Sequence, residues 1–227
     1  MTADLRGLKR QVLTGLASRL AGTAVHGVVP RIRRGPDAVR ITWDFSNGVH
    51  ALVFIGTVKQ GLPAGRFAVE PRLVMSGGPV VDALLALPLP PAPAWEANHY
   101  LVNADCLHLG GATGTFVVRP GDQAGVHRAE ADLDALILPA VEAFGGDWDR
   151  ALELTLARPS AVAFAGATAA ILIGWTGRVD LVPVLGDAAE RDPWVLGPMS
   201  SQQLAAIIDS QTRHAGGSMA DDAKGMP

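Results

Sequence analysis

The residues with the most chemical potential lie in one run, Asn98-His99-Tyr100-Leu101-Val102-Asn103-Ala104-Asp105-Cys106-Leu107-His108. Read as a strand, the run alternates, with His99, Asn103 and Asp105 on one face and Cys106 and His108 on the other. At ~3.3 Å per residue, His99 and Asp105 stand about 20 Å apart, too far to ligate one metal ion together. Cys106 and His108 are same-face neighbours at about 7 Å between Cα atoms, a spacing from which a thiolate–imidazole nucleophile pair can be built. The same cysteine, set among Val, Ala and Leu, also reads as a small buried hydrophobe. Sequence alone assigns no catalytic, cofactor or metal residue.

Motif-borne chemistries leave no mark. There is no Gly-x-Gly-x-x-Gly between a strand and a helix, no Walker-type loop, no Gly-x-Ser-x-Gly elbow and no His-Glu-x-x-His. Gly110-Gly111-Ala112-Thr113-Gly114 lacks a following lysine and leads into a strand, so it reads as a tight turn. Glu130, Asp132 and Asp134 read as a helix start, where carboxylates complement the dipole. Asp187, Glu190, Arg191 and Asp192 read as a solvated helix end.

Charge and composition narrow the partners. The chain has 227 residues, 48% of them hydrophobic, and a net charge of −3. That is enough apolar material for a sizeable core, without the basic footprint of a nucleic-acid binder. Arg31, Arg33 and Arg34 form the one dense basic cluster and read as a solvated loop or strand edge. A single cysteine excludes an internal disulfide and a Cys-rich zinc site. With no apolar leader at the N-terminus, the expected location is the cytoplasm. The longest apolar run, Ala161 to Trp175, is shorter than the ~20 residues of a membrane span, so it is expected to be a buried core helix and no membrane association is expected. Abundant Ala, Gly and Pro, with Arg preferred over Lys, suggest a GC-rich bacterial genome.

The elements that would position these residues follow from periodicity. Leu5, Leu8, Val12, Leu16 and Leu20 form one helical stripe. Val39 to Phe45 alternates strictly, with Val39, Ile41, Trp43 and Phe45 inward. Asn47-Gly48 marks a hairpin, and the chain returns through Val49 to Val58. A third strand spans Arg66 to Met75. Pro88, Pro90, Pro91 and Pro93 make residues 79–94 a stiff excursion in polyproline-like geometry. Tyr100 to Leu109 and Thr115 to Arg119 form the next strand pair. Helices then follow from about Glu130. Pro139 should kink the first or begin a fresh one, and Asp147 should cap the next. Val179 to Arg191 and Ser200 to Arg213 complete the array. Trp95 and Trp194 fall in turn-like contexts.

Strands grouped before helices predict an α+β fold. It comprises an N-terminal helix, an antiparallel meander of about five strands and a C-terminal helical array packed on the sheet. The expected layout is one domain over 1–213, sheet-rich over 23–120 and helical over 130–213, with a flexible tail at 214–227.

Three segments carry a resemblance: the strand Arg40-Ile41-Thr42-Trp43-Asp44-Phe45, the helix Leu136 to Phe144, and Ala169 to Gly177. In these the chain resembles small uncharacterised bacterial α+β proteins of immunity or partner-binding type, which are often encoded near toxin systems. The resemblance implies an immunity or partner-binding role; with no motif-borne chemistry and a sheet with one polar face, the expectation is a non-enzymatic binding protein with a protein partner and no cofactor. It carries over no functional residue. The outward strand positions Arg40, Thr42, Asp44, His99, Asn103 and Asp105 would share one sheet face if their strands are neighbours, giving a candidate binding face. Two other expectations stay open: a hydrolase or transferase with a site of scattered residues, and a structural or assembly subunit.

Overall fold

The computed structural model describes residues 5–89, 99–191 and 199–222. The first helix, α1 (Leu5–Ala21), buries Val12, Leu13, Leu16, Ala17 and Leu20. Six strands follow: β1 (Arg31–Arg34), β2 (Ala38–Asp44), β3 (His50–Val58), β4 (Phe67–Ser76), β5 (Tyr100–Asp105) and β6 (Phe116–Val118). Every pairing is antiparallel, in the order β1-β2-β3-β4-β5, and β6 also pairs with β4. A short helix, α2 (Gly78–Leu85), lies between β4 and β5. After the sheet come α3 (Ala124–Asp132), a π-helical turn (Leu133–Ile137), α4 (Leu138–Gly146), α5 (Trp148–Ala157), α6 (Ala165–Thr176), α7 (Val182–Arg191) and α8 (Ser201–Asp222). The fold is α+β, with an N-terminal helix and C-terminal helices beside an antiparallel sheet.

Period-two alternation sorts the sheet into two faces. On β2, Val39, Ile41 and Trp43 are buried while Arg40 is exposed. Val53 and Ile55 of β3 and Leu73 and Met75 of β4 continue the same inner face into the core. Helical residues Leu133, Ile137, Val141 and Phe144 join that core from above. Trp43 has no exposed surface, and its indole N–H donates to the Thr23 carbonyl at 3.3 Å. The β2–β3 turn is locked from inside and outside. Gly48 takes the positive φ of 83°. The Asn47 side chain accepts from the Val49 N–H at 3.1 Å and donates to the Gly145 carbonyl at 3.0 Å. A polar pin joins α1 to the sheet: buried Lys9 donates to Asp37 at 2.8 Å and to the Thr57 hydroxyl at 3.0 Å. Its ammonium holds the Asp37 carboxyl below the usual carboxylate range.

Several expectations need correction. Residues 79–85 are helical, not polyproline-like: Pro79 occupies the first turn of α2, where its missing N–H costs nothing, and Val80, Val81 and Leu84 are buried. Of the clustered prolines, Pro90, Pro91 and Pro93 lie outside the described residues, as do Trp95 and Trp194.

The pair expected from 100–109 and 115–119 is not a hairpin. The strand stops at Asp105, because Cys106 and Leu109 turn into the core, and β5 and β6 both pair with β4 instead. The helix placed at Glu130 starts at Ala124, whose N–H is accepted by Asp122 at 2.9 Å. Asp132 and Asp134 therefore sit well inside the helical run, and Asp134 pairs with Arg19 of α1.

Pro139 falls in the first turn of α4, and the chain absorbs it through the π turn, in which the Leu138 N–H reaches back to the Leu133 carbonyl. Asp147 caps α5 as expected, accepting from the Arg150 N–H at 3.2 Å. The core helix α6 is buried along Ala165 to Gly174. The last helix runs to Asp222, past the Arg213 expected as its end.

Candidate functional site

The pairing registers align one row of side chains across five strands: Arg33, Arg40, Phe54, Arg72 and Asp105. Arg31, Thr42, Leu52, Val74 and Asn103 form the row beside it. These residues point away from the core, and their sequence neighbours Val39, Ile41, Val53, Ile55, Leu73 and Ala104 are buried. No described element covers this face. Leu52, Phe54 and Val74 are half-buried at its centre, and Arg33, Arg40 and Arg72 are exposed around them.

Four candidates named from sequence, Arg40, Asp44, Asn103 and Asp105, do share the face. Their strands are not neighbours. Two strands separate β2 from β5, which puts Arg40 about 14 Å from Asp105 at ~4.8 Å per strand. His99 does not belong to the row. It precedes β5 with φ at 44°, off the strand's alternation.

The carboxylate end is built by a fork. Strand β4 pairs with β6 through Phe67–Val69 and with β5 through Arg72–Ser76, leaving Glu70 and Pro71 without a partner on that side. A proline suits the gap because it has no N–H to give to a ladder. The fork opens a hollow of about 270 Å³ lined by Phe54, Glu70, Pro71, Arg72, Asp105 and Thr115. Glu70 accepts from the Thr115 hydroxyl at 3.2 Å, and Arg72 donates to the Asn103 side chain at 3.0 Å. Asp105 accepts from the His108 backbone N–H at 3.0 Å and faces His108 Nδ1 at 2.7 Å. Gly114 lies so close that a Cβ there would stand 2.7 Å from Asp105 Oδ2.

Burial works against the Asp105 charge, but the two His108 hydrogen bonds and the charges of His108 and Arg72 outweigh it and hold the carboxyl below its usual range. A depressed folded-state value stabilises the protein above the unfolded value of ~3.9, and that contribution is lost as pH falls through the folded value. Urea midpoints of wild type and Asp105→Asn should therefore differ at pH 7 and converge below about pH 4. A gap that persists unchanged into acid would refute the assignment.

The nucleophile pair imagined between Cys106 and His108 is not formed. His108 is engaged by Asp105, and Cys106 is fully buried. Burial first, then the nearby Asp132 and Asp105 charges, push its thiol up to about 12. The residue is the small hydrophobe of the second reading. Iodoacetamide at pH 8 should leave the native protein unlabelled and modify it fully in guanidinium, as intact mass would show.

The other end of the row is basic. Arg33, Arg34, Gly35, Pro36, Arg40 and Phe54 line a hollow of about 340 Å³. Arg33 and Arg40 are directly cross-strand. Phe54 borders both hollows. Its ring lies over Gly56, where a Cβ would stand 2.8 Å from the ring edge, so glycine is what lets the aromatic lie across the sheet.

The sequence reading missed Phe54, Glu70, Arg72 and Thr115. For Phe54 a signal existed: with Asp44 opposite His50, alternation from His50 sends Leu52 and Phe54 to the polar face. The apolar character of 49–58 masked that phase. Among the described residues no group of three potential metal donors converges, and no helix is long and apolar enough to cross a membrane. Comparison of the chain with protein-family models, curated proteins and solved structures returned no match, so the open face is interpreted from its own geometry.

Proposed function

We propose that the protein is a non-enzymatic binding module, of bacterial immunity or accessory type, acting in the cytoplasm and engaging a protein partner through the open face of its sheet. One observation supports this above others. The face has the anatomy of an interface, with Leu52, Phe54 and Val74 half-buried at the centre and Arg33, Arg40, Arg72, Asn103 and Asp105 around them. Interfaces concentrate binding energy in central aromatic and arginine anchors within a polar rim. The Asp105–His108 pair beside the fork could orient a proton, but the thiol next to it is buried and of high pKa, which favours binding over covalent chemistry.

The test is affinity capture from the native host with three baits: wild type, Phe54→Asp, and Glu153→Lys on the exposed side of α5. A stoichiometric protein retained by wild type and Glu153→Lys but lost from Phe54→Asp supports the proposal. A partner held equally by all three places binding elsewhere. No stoichiometric partner with any bait defeats it.

A further inference from the structure

We infer that the hollow between Arg33 and Arg40 is a carboxylate-binding pocket, which receives an aspartate or glutamate of the protein partner while an apolar residue of the same segment seats on Phe54. This rests on the reading of the sheet face given above and specifies the chemistry of its partner.

The first support is an electrostatic cost with no internal return. Arg33 and Arg40 stand directly opposite each other on adjacent strands. Like charges so placed destabilise a sheet. Five arginines, Arg19, Arg31, Arg119, Arg150 and Arg178, each hold a carboxylate. Arg33, Arg34 and Arg40 form no ion pair among the described residues. One carboxylate, Asp37, lines the same hollow but is held by Lys9 at 2.8 Å. Asp44 is likewise committed to Arg31 and His50. Two guanidinium groups thus flank a concavity whose one lining carboxylate, Asp37, is held by Lys9 and not by either of them.

The second support is the neighbour. Phe54 forms the inner wall of the hollow and is half-exposed. A guanidinium offers a planar fork that takes a carboxylate through two parallel hydrogen bonds, and an adjacent aromatic adds apolar contact. Acidic and apolar side chains side by side on one segment match that pairing.

The same row argues against a nucleic acid. Beyond Phe54 it continues through Arg72, which donates to Asn103, to Asp105, about 14 Å from Arg40 at ~4.8 Å per strand, with Glu70 beside the fork. A phosphate backbone crossing the sheet would run from arginines onto carboxylates, and the whole chain is net negative at −3. A protein segment can change sign along its length.

The experiment is a titration of isotopically labelled full-length protein, followed by backbone NMR. The probes are a hexapeptide with paired glutamates flanking Phe-Leu, its paired-lysine counterpart, and an eight-nucleotide oligothymidylate. The expected result is shift changes centred on Arg33, Arg40 and Phe54 with the acidic peptide, weakening as salt rises, and no such response to the lysine peptide. Arg33→Gln/Arg40→Gln should weaken acidic-peptide binding at least tenfold. It should not lower the urea midpoint, because it removes the opposed charges.

The inference is overturned by an acidic peptide that causes no shifts, or by shifts indifferent to the double variant. It is also overturned by oligothymidylate binding the same residues more tightly than the peptide. The double variant used as a capture bait separates this from the parent reading. A native partner lost with Phe54→Asp but kept by Arg33→Gln/Arg40→Gln would sink the carboxylate pocket and leave the face reading standing.

Discussion

Trp43→Ala should lower the unfolding free energy by about 3–5 kcal/mol, the range for removing a buried aromatic from a core that relaxes incompletely. The side chain is at 0% exposure, next to the last residue of β2, within the core cluster that also holds residues of α1 and the later helices. Its loss removes the packing surface that α1 shares with the sheet. It also removes the hydrogen bond from the indole N–H to the part-buried Thr23 carbonyl at 3.3 Å. Against a typical domain stability of about 5–15 kcal/mol, such a loss is a large share of the total. Urea unfolding followed by far-UV circular dichroism would measure it, and a Trp43→Phe variant should recover much of the loss by refilling the cavity. A change below about 1 kcal/mol for the alanine variant would show that the indole does not hold the layers together.

Phe54→Ala should have the opposite profile, with little effect on folding and a large effect on binding. Phe54 is half-buried on the outward face and sits over Gly56, so truncating it opens no internal cavity. As the aromatic between both hollows it is placed where interface energy concentrates. Truncation of such an anchor costs about 2 kcal/mol or more, a roughly 30-fold weakening. Calorimetric titration with the captured partner reads this directly. Equal affinity for wild type and Phe54→Ala, with unchanged urea midpoints, would show that the aromatic is only a cover for the sheet.

Sequence patterning reached the architecture because the two periods are clean here. The α1 stripe and the alternation from Val39 to Phe45 each admit one element type, and both hold in the structure. Asp147 was legible as a cap because the Gly145-Gly146 break isolates it. What failed depended on information a local pattern does not carry. Pro79 looks like a breaker unless its place in a first helical turn is known. Residues 100–119 look like a hairpin because nothing local says that Cys106 and Leu109 turn inward. The candidate face was half legible: Arg40, Asp44, Asn103 and Asp105 were placed on one side by alternation. Which strands lie between them is a matter of long-range pairing, and it is the intervening strands that supply Phe54 and Arg72.

The four-residue strand β1 bears on how the protein coexists with itself at high concentration. It is the end strand of the sheet, and three of its four residues are Arg31, Arg33 and Arg34. An end strand offers unpaired backbone groups that a second molecule could extend into a fibril, and short length and dense like charge are the usual safeguards. Two copies meeting there would set arginines against arginines. The cluster that gives the face its appetite for carboxylates thus also acts as a gatekeeper against sheet-to-sheet polymerisation.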